Sequence, residues 1–303
     1  MRRLGAYIAC AAWFGVRAAQ ADTTSFERFT PTPAGDWSLG VESVRVETDR
    51  TAASVVADYA RDPLVMRSGG ERVGAILSDQ LGVHLGASAP LHGRVLFFLN
   101  APFVLYQRGD DPYDARTGIG YESQDDSEFG NVSFGARVTL LTPRAGSLGI
   151  AISGRYFFPS GDTDSQVNAS PPLTFSAIWG SFTERWAWAI QTGMRMPVDI
   201  YDDEPGVLAE FFDLRFGAAL AYYLDGAQSF ALGAELRVVQ GVPRFGSEDP
   251  RAESLAEARF RPSRGDWVLS WAAGPGLTGP AGVPLFRSVL ALSYAPQAKG
   301  ARR

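Results

Sequence analysis

The sequence predicts an all-β protein, an antiparallel up-and-down transmembrane β-barrel of about twelve strands, within a range of about 10 to 14. Three observations support this fold class. Apolar and polar residues alternate along most of the chain after residue 50, tight and long connections follow each other in turn, and aromatic residues collect at the ends of the apolar faces. A period of two is that of β-strands, and strands of about ten residues are long enough to cross a bilayer when tilted.

The first residues have the pattern of an export signal. Two arginines precede a short apolar run, and a small-x-small cleavage site ends at Ala21. The run is shorter than the roughly 17 to 25 residues of a permanent membrane helix. We therefore expect a signal peptide at 1–21. Cys10, the only cysteine, would leave with it, so the mature chain would have neither disulfides nor thiol chemistry.

The next segment, residues 22–50, contains several prolines and charges and has strand character only at 39–46. We expect it to be a periplasmic N-terminal segment or a short plug. Alternation begins at residue 51 and predicts a barrel over 51–296, followed by a C-terminal tail at 297–303.

The hairpin at 129–158 shows the alternation most clearly, with a tight link at 142–146. One parity of the hairpin is expected to face lipid, and it includes Val132, Phe134, Val138, Leu148, Ile150 and Ile152. The other parity carries Arg137 and Arg155, which are expected to face the lumen. The same pattern predicts strands that start at residue 51 and that span 77–88, 95–105, 173–182, 186–198, 210–224, 228–239, 252–262, 266–277 and 284–295.

The connections between these strands are of two kinds. Tight links are predicted at 90–93, 143–146, 183–185, 225–227 and 263–265, and long polar links at 107–128, 159–171, 199–209 and 240–251. Because the two kinds alternate, all tight links fall at one end of the barrel. Short periplasmic turns and long extracellular loops are typical of outer-membrane barrels, and an even strand number places both termini in the periplasm.

A secreted soluble β protein would show the same alternation. Strand length and the aromatic residues favour the membrane barrel, because aromatic girdles mark both membrane interfaces. The girdle candidates are Trp186, Trp188, Trp267, Trp271, Phe212, Tyr222, Phe158, Phe286 and Tyr294.

Charged residues on the inner parity are the candidates for a functional lumen. The arginines are Arg137, Arg155, Arg195, Arg215, Arg237, Arg259 and Arg287, and the carboxylates are Asp213, Glu235 and Glu257. Four of the arginines lie at similar heights above the tight links: Arg155, Arg195, Arg215 and Arg237. They could form a positive ring that selects small anions. Alternatively, each carboxylate precedes an arginine by two residues, so much of the charge could be neutralised in a buried ladder.

Other reactive residues give weaker indications. The acidic loops at 108–128 and 199–204 could hold calcium, but they match no known calcium loop, and solvated surface loops are the preferred interpretation. The two histidines, His84 and His92, lie in the lumen and in a tight link, so we expect no enzyme activity. Asp79 falls on the apolar parity, which requires a bulge or a position near the interface. No cofactor and no metal site are predicted.

Several stretches together resemble a known family. They are residues 28–36, 57–65, 78–87 and 274–278 and the closing Tyr294-Ala295-Pro296. These motifs resemble the N-terminal β-barrel region of bacterial OmpA-family outer-membrane proteins, which is also similar to barrel transporters of the phenol-degradation type. A peptidoglycan-binding domain commonly follows the barrel in that group. We expect no such domain after Tyr294 and therefore no wall anchoring.

These expectations combine into two alternative functions. The first is a channel or transporter for small solutes, including anions, with an arginine-containing lumen in the bacterial outer membrane. The second is a non-conducting structural or surface protein whose lumen is closed by the arginine and carboxylate network. In both cases the partners are outer-membrane lipid and lipopolysaccharide. The net charge of −5 argues against a nucleic-acid partner.

Overall fold

The computed structural model describes residues 29–68, 71–115, 118–120, 127–158, 160, 172–197, 212–242, 250–262, 265–278 and 282–296. The predicted signal peptide and C-terminal tail lie outside these ranges. The described residues form fifteen β-strands: β1 Ala52–Ser68, β2 Glu71–Leu91, β3 Val95–Arg108, β4 Tyr113–Asp114, β5 Ile119–Gly120, β6 Glu128–Phe129, β7 Ser133–Leu141, β8 Gly149–Phe157, β9 Pro172–Phe182, β10 Trp186–Pro197, β11 Phe212–Tyr223, β12 Phe230–Val242, β13 Arg251–Phe260, β14 Trp267–Pro275 and β15 Phe286–Tyr294. In these ranges we find no helix that is long and apolar enough to cross a membrane.

The long strands form a closed antiparallel barrel. Each pairs with its neighbours along the chain, β3 pairs with β7, and β1 pairs with both β2 and β15, which closes the ring. The sheet has thirteen strands, of which β6 has only two residues, so twelve long strands form the barrel. The short strands β4 and β5 pair only with each other. The predicted all-β barrel of about twelve up-and-down strands is therefore confirmed.

The two faces of the sheet differ as the alternation predicts. In β7, Ser133, Gly135, Arg137 and Thr139 are buried whereas Phe134 is exposed. Similar exposed side chains cover the outer face around the barrel, among them Leu99, Ile152, Phe175, Ile190, Phe216, Leu232, Leu269, Trp271 and Leu290. A continuous apolar outer surface of this kind would be unfavourable in water and suits contact with lipid.

Aromatic residues lie at the rim formed by the tight links. The rings of Trp186 and Tyr222 pack at 4.5 Å between centroids, and those of Trp267 and Tyr294 at 5.4 Å. β1 begins and β15 ends at this same rim, since Ala53 is paired with Tyr294. The rim has the composition expected of an interfacial girdle.

The first hairpin departs from the predicted pattern. β2 begins at Glu71 rather than Leu77, and Leu77 is only 3% exposed, although the sequence pattern placed it on the lipid-facing parity. β1 contains a bulge here, since Asp62 has a positive φ of 49° and the register shifts between Arg61 and Leu64. The bulge disrupts the regular pairing of the two strands, and beyond it Leu77 packs against Leu64 with both side chains buried.

The same bulge explains Asp79. It lies directly opposite Arg61, the last β1 residue before the register shift. Its carboxylate accepts a hydrogen bond of 2.5 Å from the hydroxyl of Tyr59. Of the two explanations left open by the sequence, the bulge is therefore present, and the carboxylate has a partner on the neighbouring strand.

Residues 29–48, called the lumen segment below, lie inside the barrel. They form no strand, and most of them are buried. Trp37 and Val41 pack against small wall residues, which are Ala187, Ala189, Ala219, Ala221 and Ala231. Phe29 and Leu39 pack on another part of the wall with Val56, Leu255, Ala272, Val289 and Ala291. The small residues of the inner face thus make space for the bulky residues of the lumen segment.

We expect Leu236→Arg to destabilise the folded barrel in lipid by about 2 to 4 kcal/mol. Leu236 lies in the middle of β12 with its side chain 41% exposed on the outer face. An arginine facing the bilayer midplane costs about 2 to 4 kcal/mol, whereas the cost near an interface is about 0 to 1 kcal/mol. The matched control is Leu224→Arg, because Leu224 is 55% exposed but lies in the tight link after β11. Urea titration of the folded barrel in lipid vesicles measures both costs, and equal costs would mean that β12 does not face lipid.

Candidate functional site

The lumen segment is held to the barrel wall at Arg137 of β7. The Arg137 guanidinium donates two parallel hydrogen bonds to the Asp36 carboxylate, Nη1 to Oδ2 at 2.6 Å and Nη2 to Oδ1 at 2.8 Å. Both side chains are almost completely buried, at 0% and 1% exposure. Nη2 also donates to the carbonyl of Arg45 at 3.0 Å. A bidentate pair of this kind fixes geometry as well as charge, so it determines where the lumen segment lies.

A second attachment lies on β12, where Glu235 binds the backbone of the lumen segment. Its Oε1 accepts the N–H of Leu39 at 2.6 Å, and its Oε2 accepts the N–H of Gly40 at 2.9 Å. A Cβ on residue 40 would lie only 2.7 Å from Oε2 of Glu235. Glycine is therefore required here for the carboxylate to reach the backbone.

Further single hydrogen bonds come from β7 and from three more strands, β2, β8 and β10. Ser88 Oγ donates to the carbonyl of Ala34 at 2.7 Å, Thr139 Oγ1 to that of Val44 at 3.0 Å, and Arg155 Nη2 to that of Pro31 at 3.3 Å. Gln191 Oε1 accepts the N–H of Glu42 at 3.0 Å. Irregular backbone buried in a barrel must have such partners, because it lacks the pairing that a sheet provides. The wall supplies them from β2, β7, β8 and β10.

Phe29 occupies the inner end of the lumen segment between charged groups. The guanidinium carbons of Arg237 and Arg287 lie 4.6 Å and 5.6 Å from its ring centroid. The ring of His84 approaches it edge-on at 6.2 Å. Cations near the face of an aromatic ring are stabilised by its quadrupole, more strongly when water is excluded. Phe29 thus packs close to two arginine side chains of the wall.

The candidate lumen residues are placed as follows. Arg137, Arg155, Arg287, Glu235 and Glu257 are buried, and Arg195, Arg215, Arg237, Arg259 and Asp213 are half-buried. Arg155 and Arg215 face one cavity beside the lumen segment, and Arg215, Arg237 and Arg287 face another that adjoins it. Three of the four arginines predicted at similar heights therefore meet around connected spaces. The fourth, Arg195, lies opposite Asp213 in the strand register.

Charged residues of the barrel wall also form ion pairs with one another, and these pairs join different strands. Asp213 of β11 pairs with Arg251 at 3.2 Å, and Arg237 of β12 pairs with Glu253 of β13. Arg287 of β15 binds Asp58 at 2.8 Å and Glu253 at 3.0 Å. The pairs Arg237–Glu253 and Arg287–Asp58 join adjacent strands, whereas Asp213–Arg251 and Arg287–Glu253 each reach across one intervening strand. None of these four pairs is the same-strand partnership that the sequence pattern suggested.

Sequence reasoning missed several members of this network. Asp58 and Glu253 share the inner parity of their strands, so the alternation alone would have found them. Arg251 precedes the predicted start of its strand at residue 252. Asp36 and Glu42 belong to the lumen segment, where no periodic pattern exists to indicate which way a side chain points. A carboxylate contact was also missed, since Glu257 of β13 lies beside Glu235 of β12 on the inner face.

The larger of the two cavities has a volume of about 100 Å³ and the smaller about 60 Å³. Both lie near the strand ends that continue into the long loops. The charged lining residues of the larger cavity are Arg215, Arg237, Arg251, Arg287 and Glu253. Those of the smaller cavity are Arg155, Arg215 and Glu42. Arginine exceeds carboxylate in both, so the interior near the long loops carries an excess of positive charge.

The two histidines and the described acidic residues do not come together in a catalytic or metal-binding site within the described part of the chain. His84 is buried, and its Nδ1 lies 3.4 Å from the amide nitrogen of Asn100. His92 is exposed in a tight link with a φ of 53°. The acidic loop at 199–204 lies outside the described ranges, and in the described part of the chain no three His, Cys, Asp or Glu side chains are grouped closely enough to hold a metal ion.

No protein-family model and no curated protein sequence matches this chain. The fold is similar to that of an outer membrane channel from Pseudomonas putida F1, with a TM-score of 0.61 and 14% identity over 82% of this chain and 96% of that chain. It is also similar to the NanC porin, with a TM-score of 0.51 and 7% identity over 81% of this chain and 100% of that chain. The chain therefore has the fold of outer-membrane barrels. Membership of the OmpA family stays a prediction.

A double-mutant cycle should show strong coupling between Asp36 and Arg137. We expect Asp36→Asn or Arg137→Met alone to destabilise the packed interior by about 3 to 5 kcal/mol, because each leaves the other charge buried without its partner. The double variant should cost less than the sum, by about 1 kcal/mol or more. Guanidinium unfolding in detergent measures these free energies.

The matched control is the pair between Arg72 and Asp62. It has the same bidentate geometry, with Nη1 to Oδ2 at 2.9 Å and Nη2 to Oδ1 at 2.8 Å, but the Arg72 side chain is 47% exposed. Breaking it by Arg72→Met should cost about 1 kcal/mol or less. Equal costs for the two pairs would contradict the structural importance of the buried one.

Proposed function

We propose that the protein is a channel for small solutes in the bacterial outer membrane, closed by the lumen segment and opened when that segment moves. In this proposal the apolar outer face contacts membrane lipid and lipopolysaccharide, and the rim of tight links faces the periplasm. The observation that carries the proposal is how the lumen segment is held. The lumen segment forms no strand of the sheet. Its polar contacts with the wall include side-chain hydrogen bonds and one bidentate ion pair.

Such attachments are compatible with reversible release. The net value of one hydrogen bond is about 0.5 to 1.5 kcal/mol, because water replaces it when it breaks. The cylinder of twelve paired strands does not depend on the lumen segment for its backbone hydrogen bonding. The segment joins β1 through Asp49 and Arg50, both exposed at the rim of tight links, so it can withdraw towards that rim.

The charge of the interior supports a preference for anions. At least five of the inner arginines form ion pairs with carboxylates, namely Arg137, Arg155, Arg237, Arg251 and Arg287. Even so, arginine exceeds carboxylate around both cavities near the long loops. A low-dielectric wall strengthens the field of this excess charge inside the barrel. We therefore infer a moderate anion preference rather than a strong one.

A second candidate function is a non-conducting structural or surface barrel. The packing of the lumen segment favours it, since Trp37, Val41, Phe29 and Leu39 are buried in clusters like those of a protein core. Burial of large apolar side chains contributes about 1.5 to 3 kcal/mol each, which opposes release. The two functions differ in one measurable property, which is whether ions pass when the segment is absent or free.

Deletion of residues 29–46 should increase ion conductance in planar bilayers, because it removes both the bulky side chains and Asp36 from the lumen. In a salt gradient the reversal potential of the deleted form should indicate anion preference. A shift in gel mobility on heating provides the folding control for the deleted barrel. If the folded, deleted barrel inserts but does not conduct, the channel function is wrong and the structural alternative stands.

A disulfide that ties the lumen segment to the wall should keep the channel closed. A Cβ at Gly217 would lie 3.0 Å from Cγ2 of Val41. In a disulfide, the sulfur of one cysteine lies about 3 Å from the Cβ of the other, so Val41→Cys with Gly217→Cys can be bridged without backbone movement. The oxidised form should conduct less than the same preparation after reduction. The single variant Gly217→Cys should not respond to the reductant. Equal conductance before and after reduction of the double variant would exclude movement of the lumen segment as the opening step.

A further inference from the structure

The smaller cavity beside the lumen segment brings two arginines together in a polar enclosure. Arg155 comes from β8 and Arg215 from β11, two strands separated on the barrel by β9 and β10. Between them the wall contributes hydroxyl and amide groups from Ser153, Thr174, Ser176 and Gln191. The lumen segment closes the cavity on its remaining side with Thr30, Pro31, Thr32, Gly40 and Glu42.

Arg155 is buried beside this cavity, and one of its guanidinium nitrogens is not used in a hydrogen bond within the described part of the chain. Its side chain is 6% exposed, and its Nη2 donates to the carbonyl of Pro31 at 3.3 Å. The guanidinium also lies 4.9 Å from the ring centroid of Phe98. Its Nη1, however, has no hydrogen-bond partner in the described part of the chain. A buried charged donor without an acceptor is unfavourable, so this atom is suited to bind an acceptor that enters the cavity.

The charges around the cavity define the kind of acceptor. The positive charge of Arg215 acts repulsively on Arg155. The one carboxylate in the lining is Glu42, whose Oε1 lies 3.7 Å from Arg155 Nη2 and whose Oε2 lies 3.7 Å from Arg137 Nη1. Two cations and one anion leave a formal charge of +1 in the cavity, before the share of Glu42 that Arg137 takes. A single negative charge would neutralise it.

We propose that this cavity is a binding site for a small monocarboxylate. The carboxylate oxygens would accept from Arg155 Nη1 and from the Arg215 guanidinium, since guanidinium groups match carboxylate geometry. The serine, threonine and glutamine side chains would bind the rest of a short acid. The cavity volume of about 60 Å³ exceeds the roughly 10 to 15 Å³ that one water molecule needs, and it admits a short acid such as acetate. This inference rests on the proposed channel function and names the solute class for which the lumen is suited.

Binding of acetate to the purified full-length barrel in detergent tests the proposal, with acetamide as the neutral ligand of the same shape. Isothermal titration calorimetry at constant ionic strength should detect acetate binding and none for acetamide. Arg155→Gln and Arg215→Gln should each weaken acetate binding by about tenfold or more, because each removes a charge-assisted hydrogen bond. The control is Arg144→Gln, an exposed arginine in the link between β7 and β8, which should bind acetate like the unaltered protein.

Two variants are needed because Arg155 also holds Pro31, so its loss could disturb the lumen segment. Weaker acetate binding by Arg215→Gln therefore carries the assignment if Arg155→Gln alters the fold. No acetate binding by the unaltered protein, equal binding of acetate and acetamide, or equal acetate affinity in all variants would each overturn the proposal. The assay needs no conduction. A barrel that binds acetate but never conducts would refute the channel function alone, and a conducting barrel that ignores acetate would refute this site alone.

Discussion

The attachment of the lumen segment to the inner wall is the constraint on which most of the interior depends. About twenty residues of irregular backbone lie where a closed sheet offers no free N–H or carbonyl groups. Polar groups of this segment therefore bind either one another, as the N–H of Thr32 donates to the carbonyl of Leu39, or side chains of the wall. The residues that do so are spread around the barrel, from Ser88 on β2 to Glu235 on β12. The inner face consequently carries polar side chains where the lumen segment needs a hydrogen-bond partner and small side chains at other positions.

This requirement explains why charged and very small residues alternate with such regularity on the inner face. Alanine and glycine of β10 to β12 receive Trp37 and Val41, whereas arginine and glutamate extend to groups that lie farther away. The bidentate bond between Arg137 and Asp36 satisfies two charges at once, which makes their complete burial tolerable. Gly40 is a further example of a small residue that makes space, because its lack of a side chain lets Glu235 bind the backbone directly.

The arrangement has a consequence for function. Where the segment binds the wall, arginines and carboxylates are matched, as at Arg137. Towards the long loops the arginines outnumber the carboxylates, and the cavities lie there. One molecule thus combines a neutralised attachment region with a positive region open to a ligand. In the proposed function, solute preference and closure would be linked through the same residues, since Arg155 faces the smaller cavity and also holds Pro31.

The sequence by itself determined the barrel, its strand number, its two faces and the end at which the tight links lie. These features follow from the alternation of residues along each strand and from the lengths of the links, both of which are local. Asp79 and Leu77 show the limit of local reasoning, because the bulge at Asp62 that interrupts the regular pairing beside them lies on the neighbouring strand. Only the tertiary structure decided what fills the interior. Asp36 and Arg137 are 101 residues apart, Arg287 and Asp58 are 229 residues apart, and no periodicity relates such partners. Closure of the sheet brings them together, because it places strands from distant parts of the chain around one common space.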